Sequence, residues 1–326
     1  MKLRPFLMRH ALVALALLGS AAVQAQATWP SKPLSLIVPF GAGSSPDVMA
    51  RMVGEEAGKT LGQTIVVINR PGASGNIGTN SIAKAAPDGY TFGVSITGPL
   101  VNNVVIQKDL PYNPAKDIQP LTLGVHQFNV LVVPAGSTIK SLQDLIDTAR
   151  APGSKLNFPT TGAGTISHLA VELLLDRVGG KAVHVPYPSS PAAVTSLLGG
   201  DTHFAALPPV AVLPMIKDGK VKPIAAVSAQ RLSFLPDLPT VAELGFAGIE
   251  GSGWIGFVAP AGVDAEIVKK LNQALTGALS KPEVKERLLR MGMEPAPTTP
   301  EAFAQYMQEE SKRWTPLIER LDLANK

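Results

Sequence analysis

Cysteine is absent from all 326 residues. That excludes disulfides, thiolate chemistry and Cys-ligated zinc, and also a lipid-attachment cysteine. Aromatic residues are scarce, at 5% against 45% hydrophobic residues overall. The core must therefore be mostly Ala, Val, Leu and Ile, the usage of helices packed on buried parallel strands. Long apolar runs are missing too. The run Ala11 to Leu18 is about 8 residues, far short of the ~20 of a spanning helix, so membrane insertion is not expected. No basic cluster that would track phosphates is present, which argues against nucleic acid. The five histidines show neither an i, i+4 pair nor HExxH spacing, so no metal is expected. No cofactor is expected either.

What is present begins at the start of the chain. Lys2, Arg4, Arg9 and His10 precede the apolar run, and small residues lead to Ala25 and Ala27. A charged start, a short apolar stretch and a small-x-small exit make a secretory signal peptide over residues 1–25, with cleavage after Ala25 or Ala27. Its removal takes three of the positive charges behind the formal net charge of +4. The expected product is a periplasmic protein without a lipid anchor, monomeric, and large enough at about 300 residues for two domains.

Along the mature chain, short apolar runs alternate with helical patterns. Leu34 to Val38, Thr64 to Ile68 and Thr91 to Ile96 read as buried strands. Helical patterns follow at Val48 to Leu61, capped by Ser45 and closed by Gly62, and at Ile77 to Ala85. This βαβαβ unit predicts a parallel sheet with loops at the strand C-terminal edge. The same order recurs later, with a strand at Val130 to Val133, helices at Ser141 to Arg150 and Ile166 to Val178, and a strand at Val183 to Val185. Further strands are expected at His203 to Leu207, Ile224 to Val227 and Trp254 to Val258, and three amphipathic helices end the chain. The fold class is α/β: two lobes, each a mostly parallel sheet flanked by helices, with a ligand cleft between them. Lobe 1 is expected to comprise residues 28–125 and 254–326, and lobe 2 residues 126–253.

Three glycine-bearing loops stand directly before helices: Gly41 to Asp47, Gly72 to Asn76 and Thr160 to His168. A helix N-terminus leaves N–H groups unpaired and carries about half a positive charge. Glycine admits close approach, and hydroxyls add donors. Two such termini facing each other can hold a carboxylate without arginine; the alternative is an ordinary βα turn. These loops, with Ser44, Ser45 and Ala163 among their members, Phe40 as an apolar wall and Thr97 after the third strand, supply the candidate ligand contacts. Tyr187 is placed either toward the cleft or in rim packing. His168 reads as an anion donor or a cap. No dinucleotide fingerprint is completed, because Pro46 and Ser167 stand where a third glycine belongs. Gly72-Ala73-Ser74-Gly75 is a poor nucleophile elbow. No catalytic set can be assembled, so the chain is not expected to be an enzyme.

An ordered series of motifs resembles the substrate-binding proteins of the tripartite tricarboxylate transporter family, the Bug-type receptors. It runs through Trp29-Pro30-Ser31-Lys32-Pro33, Val38-Pro39-Phe40, Asn69-Arg70-Pro71-Gly72-Ala73 and Pro87-Asp88-Gly89-Tyr90-Thr91. Ser167-His168-Leu169, Val185-Pro186-Tyr187, Leu197-Leu198-Gly199-Gly200 and Ala259-Pro260-Ala261-Gly262 continue it. The resemblance implies two lobes of the type II periplasmic-binding-protein kind closing on a small organic acid, a di- or tricarboxylate or an aromatic acid. It implies that backbone amides and hydroxyls hold the carboxylate, at positions Phe40, Ala42, Gly43 and Asp47, then Ala73, Ser74 and Asn76, then Thr161, Gly162, Gly164, Thr165 and His168, and that a membrane permease of two subunits receives it. A ligand-binding sensor docking on a signalling partner shares the same fold and is the alternative; a secreted hydrolase is a weaker one. Three positions depart from the family pattern: Gly41 and Ser44 flank the first loop, Pro188-Ser189 follows Tyr187, and His203 stands where an aspartate is common. His203 there points to a second anionic group on the ligand.

Overall fold

In the computed structural model, residues 29–249 and 251–324 are described. The proposed signal peptide and its cleavage sites lie outside them. Among the described residues, no helix is long and apolar enough to cross a membrane.

The first half starts with β1 (Leu34–Val38), helix α1 (Ser45–Leu61) and β2 (Ile65–Asn69). After a single 3₁₀ turn at Ala73–Gly75 come α2 (Asn76–Ala83) and β3 (Thr91–Ile96). These strands are short and β-branched, and β1 and β3 are almost wholly buried, as a covered parallel sheet requires. β1 pairs in parallel with β2 on one side and β3 on the other. Ser44, not Ser45, is the N-cap of α1, which puts Pro46 at the second helical position. Gly62 closes the helix in the left-handed conformation at φ +67°, the C-terminal role that glycine fills without a Cβ penalty.

Beyond β3, a π-type turn at Gly98–Asn102 runs into α3 (Asn103–Ile106), followed by α4 (Pro114–Asp117). Strand β4 spans Ile118–Pro134, 17 residues. The sequence predicts only Val130 to Val133 as strand and reads the preceding residues as surface connection and crossing. Pro120 lies within β4, beside a register shift in its pairing with β9.

The second half contains α5 (Leu142–Arg150), β5 (Asn157–Thr160), α6 (Ile166–Val178), β6 (Val183–Pro186) and α7 (Ser190–Gly199). β7 (Ala205–Leu207), α8 (Pro209–Lys217) and β8 (Val221–Val227) follow. Ser141 caps α5 with a complete capping box to Asp144, and α6 has the predicted bounds. β5 and β6 form a parallel pair. The chain then returns through β9 (Ser252–Pro260) to α9 (Ala265–Ser280), α10 (Pro282–Arg290), β10 (Met293–Pro295) and α11 (Pro300–Arg320).

β4 organises the whole. Its Ile118–Phe128 stretch pairs antiparallel with β9, which also pairs with β3 and so extends the first sheet. From Asn129 to Pro134 the same strand pairs with β8 and β7. One strand therefore serves both halves. One apolar cluster runs from Ile37 and Ile82 through Leu131, Trp254 and Val258 to Phe158 and Leu169, and a second includes Val130 and Val132 of the same strand.

Candidate functional site

Two loops, Gly41–Ser44 and Gly162–Thr165, have the same local chemistry. Ser44 donates its N–H (3.3 Å) and its hydroxyl (2.7 Å) to the Gly41 carbonyl. Thr165 does the same to the Gly162 carbonyl, at 3.3 and 2.6 Å. Gly43 and Gly164 take matching left-handed angles, φ +77° and +74°. Both caps are extended, φ −71° with ψ 159° at Ser44 and 158° at Thr165. Because each cap hydroxyl is turned back on its own loop, neither caps its helix. The first turns of α1 and α6 thus keep amide donors without a side-chain acceptor, each at the positive end of a helix of at least 13 residues.

Behind each loop a side chain takes the N–H of the left-handed glycine. Asp47 Oδ2 accepts from Gly43 N at 2.9 Å, and His168 Nδ1 accepts from Gly164 N at 3.2 Å. Asp47 is further held by Asn69 (2.8 Å) and Arg51 (2.9 Å). Burial pushes its carboxyl up, but the bonds from Arg51, Gly43 and Asn69 outweigh burial and hold it below the usual carboxylate value.

The two helix starts share a small cavity of about 60 Å³. Of the predicted residues, Phe40, Ser44, Ser45, Thr97, Thr161 and Thr165 line it. Gln127, Asn129, Ser167 and Ser190 add polar atoms, while Ile96, Ile166, Trp254 and Ile255 add apolar wall. Among the described residues, no Asp, Glu, Lys, Arg or His lines it. Thr97 Oγ1 and Asn129 Nδ2 are buried at this wall and have no hydrogen-bond partner among the described residues. Buried polar groups in that condition are rare and cost about 1–3 kcal/mol each, so both are suited to a polar ligand.

A second cavity of about 280 Å³ shares Phe40 and Thr161 and is lined by Ala73, Ser74, Gly162 and Tyr187. The Tyr187 hydroxyl donates to Ser196 Oγ at 2.6 Å, so the ring rather than the hydroxyl is available to this space. Ala42, Gly43, Ala163 and Gly164 line neither cavity. Nor do Asp47 and His168, which support the loops from behind. Asn76 is also a support: its Oδ1 accepts from Asn103 (2.8 Å) and Tyr112 (3.0 Å). His203 is exposed and bonds Asn157 at 2.6 Å, away from both cavities. A ligand-directed role for His203 therefore finds no support in its position.

Across the cavities the two halves touch directly. Asn102 donates to the Gly164 carbonyl at 2.7 Å, Gly41 N to Pro188 O at 3.2 Å, and Gln127 to Ser45 Oγ at 3.0 Å. Gln127, Asn129 and Trp254 escaped sequence reasoning as site residues. Strand alternation gives a face, but only the β4–β9 pairing shows that this face is the cavity wall.

One consequence concerns pH. His184 Nε2 bonds Thr160 Oγ1 at 2.5 Å beneath the second loop. Burial, and then the neighbouring His168, push its imidazole down to about 4, against the pull of Glu172. Between the ordinary imidazole value of about 6.5 and that depressed value, the unfolded chain binds more protons than the folded one. Stability is therefore expected to fall as pH drops through this window. Tm measured from pH 7 to pH 4 checks it, and His184→Phe, which keeps the ring stack, should flatten the slope. An unchanged slope in the variant would assign the loss to other groups.

Residues 49–323 match the tripartite tricarboxylate transporter family receptor, and the chain belongs to this family. Protein BugT of Bordetella pertussis is 35% identical over 301 residues, which cover 92% of both chains. The structure of the periplasmic binding protein BugD superposes with a TM-score of 0.87 at 30% identity, covering 90% of this chain and 99% of that one. Rpa4515 of R. palustris, solved with adipate, gives a TM-score of 0.87 at 31% identity, covering 90% and 98%. The fold is thus the two-lobed fold of periplasmic binding proteins, and the family and these neighbours bind solutes.

Proposed function

We propose that this protein is a periplasmic receptor that captures a small organic carboxylate, a di- or tricarboxylate or an aromatic acid, and hands it to a two-subunit permease. It performs no catalysis. Lobe 1 (residues 28–125 and 254–326) and lobe 2 (residues 126–253) close on the ligand, with β4 and β9 as the crossings. The observation that carries the reading is the cavity shared by the starts of α1 and α6. Two matched loops direct uncapped helix N-termini to it, hydroxyl and amide side chains surround it, and among the described residues no charged side chain enters it. Such a wall attracts an anion through dipoles and hydrogen bonds while excluding the counter-charges that a catalytic set requires. The Rpa4515 complex with adipate supports the same ligand class.

Thermal shift against adipate, citrate, benzoate and phthalate tests this. An acid at ~100 times its Kd adds about 2.7 kcal/mol to a native-only site, a rise of several degrees at this size. One chemical series should give a dose-dependent rise. If the purified, unliganded protein shows no rise with any of them, carboxylate capture is wrong.

A further inference from the structure

The matched loops differ in one chemically important respect. At the equivalent position behind the left-handed glycine, the first loop has a carboxylate and the second an imidazole. Asp47 is buried, clamped by Arg51 and Asn69, and held in its charged form; its acceptor for Gly43 N–H persists through any moderate acidity. His168 can accept from Gly164 N–H only while Nδ1 keeps its lone pair, with the ring proton on Nε2. We propose that His168 is a positioning residue whose neutral imidazole holds the Gly162–Thr165 loop in its ligand-receiving form, so that protonation of that ring weakens capture from the lobe 2 side alone.

The groups that face the ring come from its own helix and from two strands. Glu172, one turn along α6, places Oε1 3.7 Å from His168 Nε2. From β6, His184 stacks on the ring at 4.1 Å, and from β5 the Phe158 ring stacks on it at 6.4 Å. Two imidazoles this close do not both carry charge readily, and burial first, then His168, push His184 down to about 4. A proton added at Nδ1 of His168 sets one N–H donor against another, and the Gly164 amide must turn away. His184 supports the same loop independently, since Thr160 Oγ1 accepts from Gly162 N at 3.0 Å and bonds His184. The Gly164 end is therefore the part that responds. Its carbonyl is also the acceptor for Asn102 across the cleft, so a turn there disturbs closure as well as the cavity wall.

The effect on capture rests on the receptor reading above, but the movement of the loop does not, and the test separates them. In ¹⁵N-labelled, ligand-free protein, the Gly164 amide should shift with a midpoint shared by the His168 ring between pH 8 and pH 4.5, while the Gly43 amide stays in place. Adipate affinity is then measured at the same pH values for wild type and His168→Asn. Asparagine supplies a non-titrating acceptor at the position where Asp47 reaches its glycine, and the acid's own protonation is common to both proteins. Relative to the variant, wild-type affinity should fall about tenfold per pH unit below the midpoint, the slope for one required deprotonation. A Gly164 amide that does not move, or a variant that keeps the wild-type pH profile, overturns the proposal. Adipate that binds neither protein at any pH counts against the ligand reading and leaves the Gly164 amide to decide.

Discussion

Gly162→Ala is expected to weaken carboxylate capture by about 100-fold, the equivalent of roughly 2.7 kcal/mol. Gly162 adopts φ +126°, a region that side-chain-bearing residues enter only at a cost of about 1–3 kcal/mol. A Cβ there would lie 2.4 Å from Ser74 Oγ and 2.7 Å from Ser74 Cα. The serine hydroxyl can rotate away, but the backbone carbon cannot. Ser74 is itself fixed at φ 58° within the 3₁₀ turn, so neither side yields cheaply. At this point the glycine loops of the two lobes meet backbone to backbone, and one methyl group holds them apart. Isothermal titration with the acid that gives the largest thermal shift measures the loss. Small-angle scattering with that acid present should show a larger radius of gyration than wild type. Gly179→Ala separates strain from obstruction: Gly179 is also left-handed, at φ +64°, yet a Cβ there meets nothing within 4 Å. It should cost stability and leave affinity unchanged. Equal affinity in Gly162→Ala and wild type would mean that capture does not need this approach of the lobes.

The loops that carry this argument were legible in the sequence, because glycine and hydroxyl residues before a helix have a direct backbone meaning. Gly41-Ala42-Gly43-Ser44 and Gly162-Ala163-Gly164-Thr165 already show the pattern as letters, and the bonding confirms that they are equivalent turns. Strand β1 and helix α6 were legible for a similar reason: a short apolar run closed by proline, and an apolar periodicity closed by glycine. The 17-residue β4 was not, since two sheets with different partners share it and its local pattern averages over both. For Asp47, Asn76 and His168 the sequence leaves the choice between ligand contact and structural support open. In the structure each holds the loop from behind. Sequence spacing gives proximity to the site but not which side of the backbone a side chain takes. The same limit hid Gln127, Asn129 and Trp254, which reach the cavity only through strand register.

Glu310→Ala should produce the largest loss of stability, about 2–5 kcal/mol. Glu310 lies on α11, only 5% exposed, and its Oε2 accepts from two indoles, Trp254 Nε1 at 3.1 Å and Trp314 Nε1 at 3.0 Å. Arg313 stands 3.5 Å from the other oxygen and offsets the buried charge. Removing the carboxylate leaves two indole N–H donors buried without an acceptor, each at about 1–3 kcal/mol, and opens a cavity beside the Phe303 ring that packs edge-on against Trp254 at 5.3 Å. At roughly 2–4 °C per kcal/mol, Tm should fall by about 5–15 °C. Glu310→Gln keeps one carbonyl oxygen for the indoles and should lose about half as much. The consequence extends to binding, because Trp254 is also cavity wall: with its N–H released, the ring is free to tilt. Ligand-induced change in tryptophan emission should therefore shrink in Glu310→Ala at temperatures where the variant remains folded, whereas Trp314→Phe, which removes the second donor but leaves Trp254 bonded, should preserve it. A Tm within 2 °C of wild type would show that water can replace the carboxylate. An undiminished emission change would show that packing against Phe303 alone fixes the Trp254 ring.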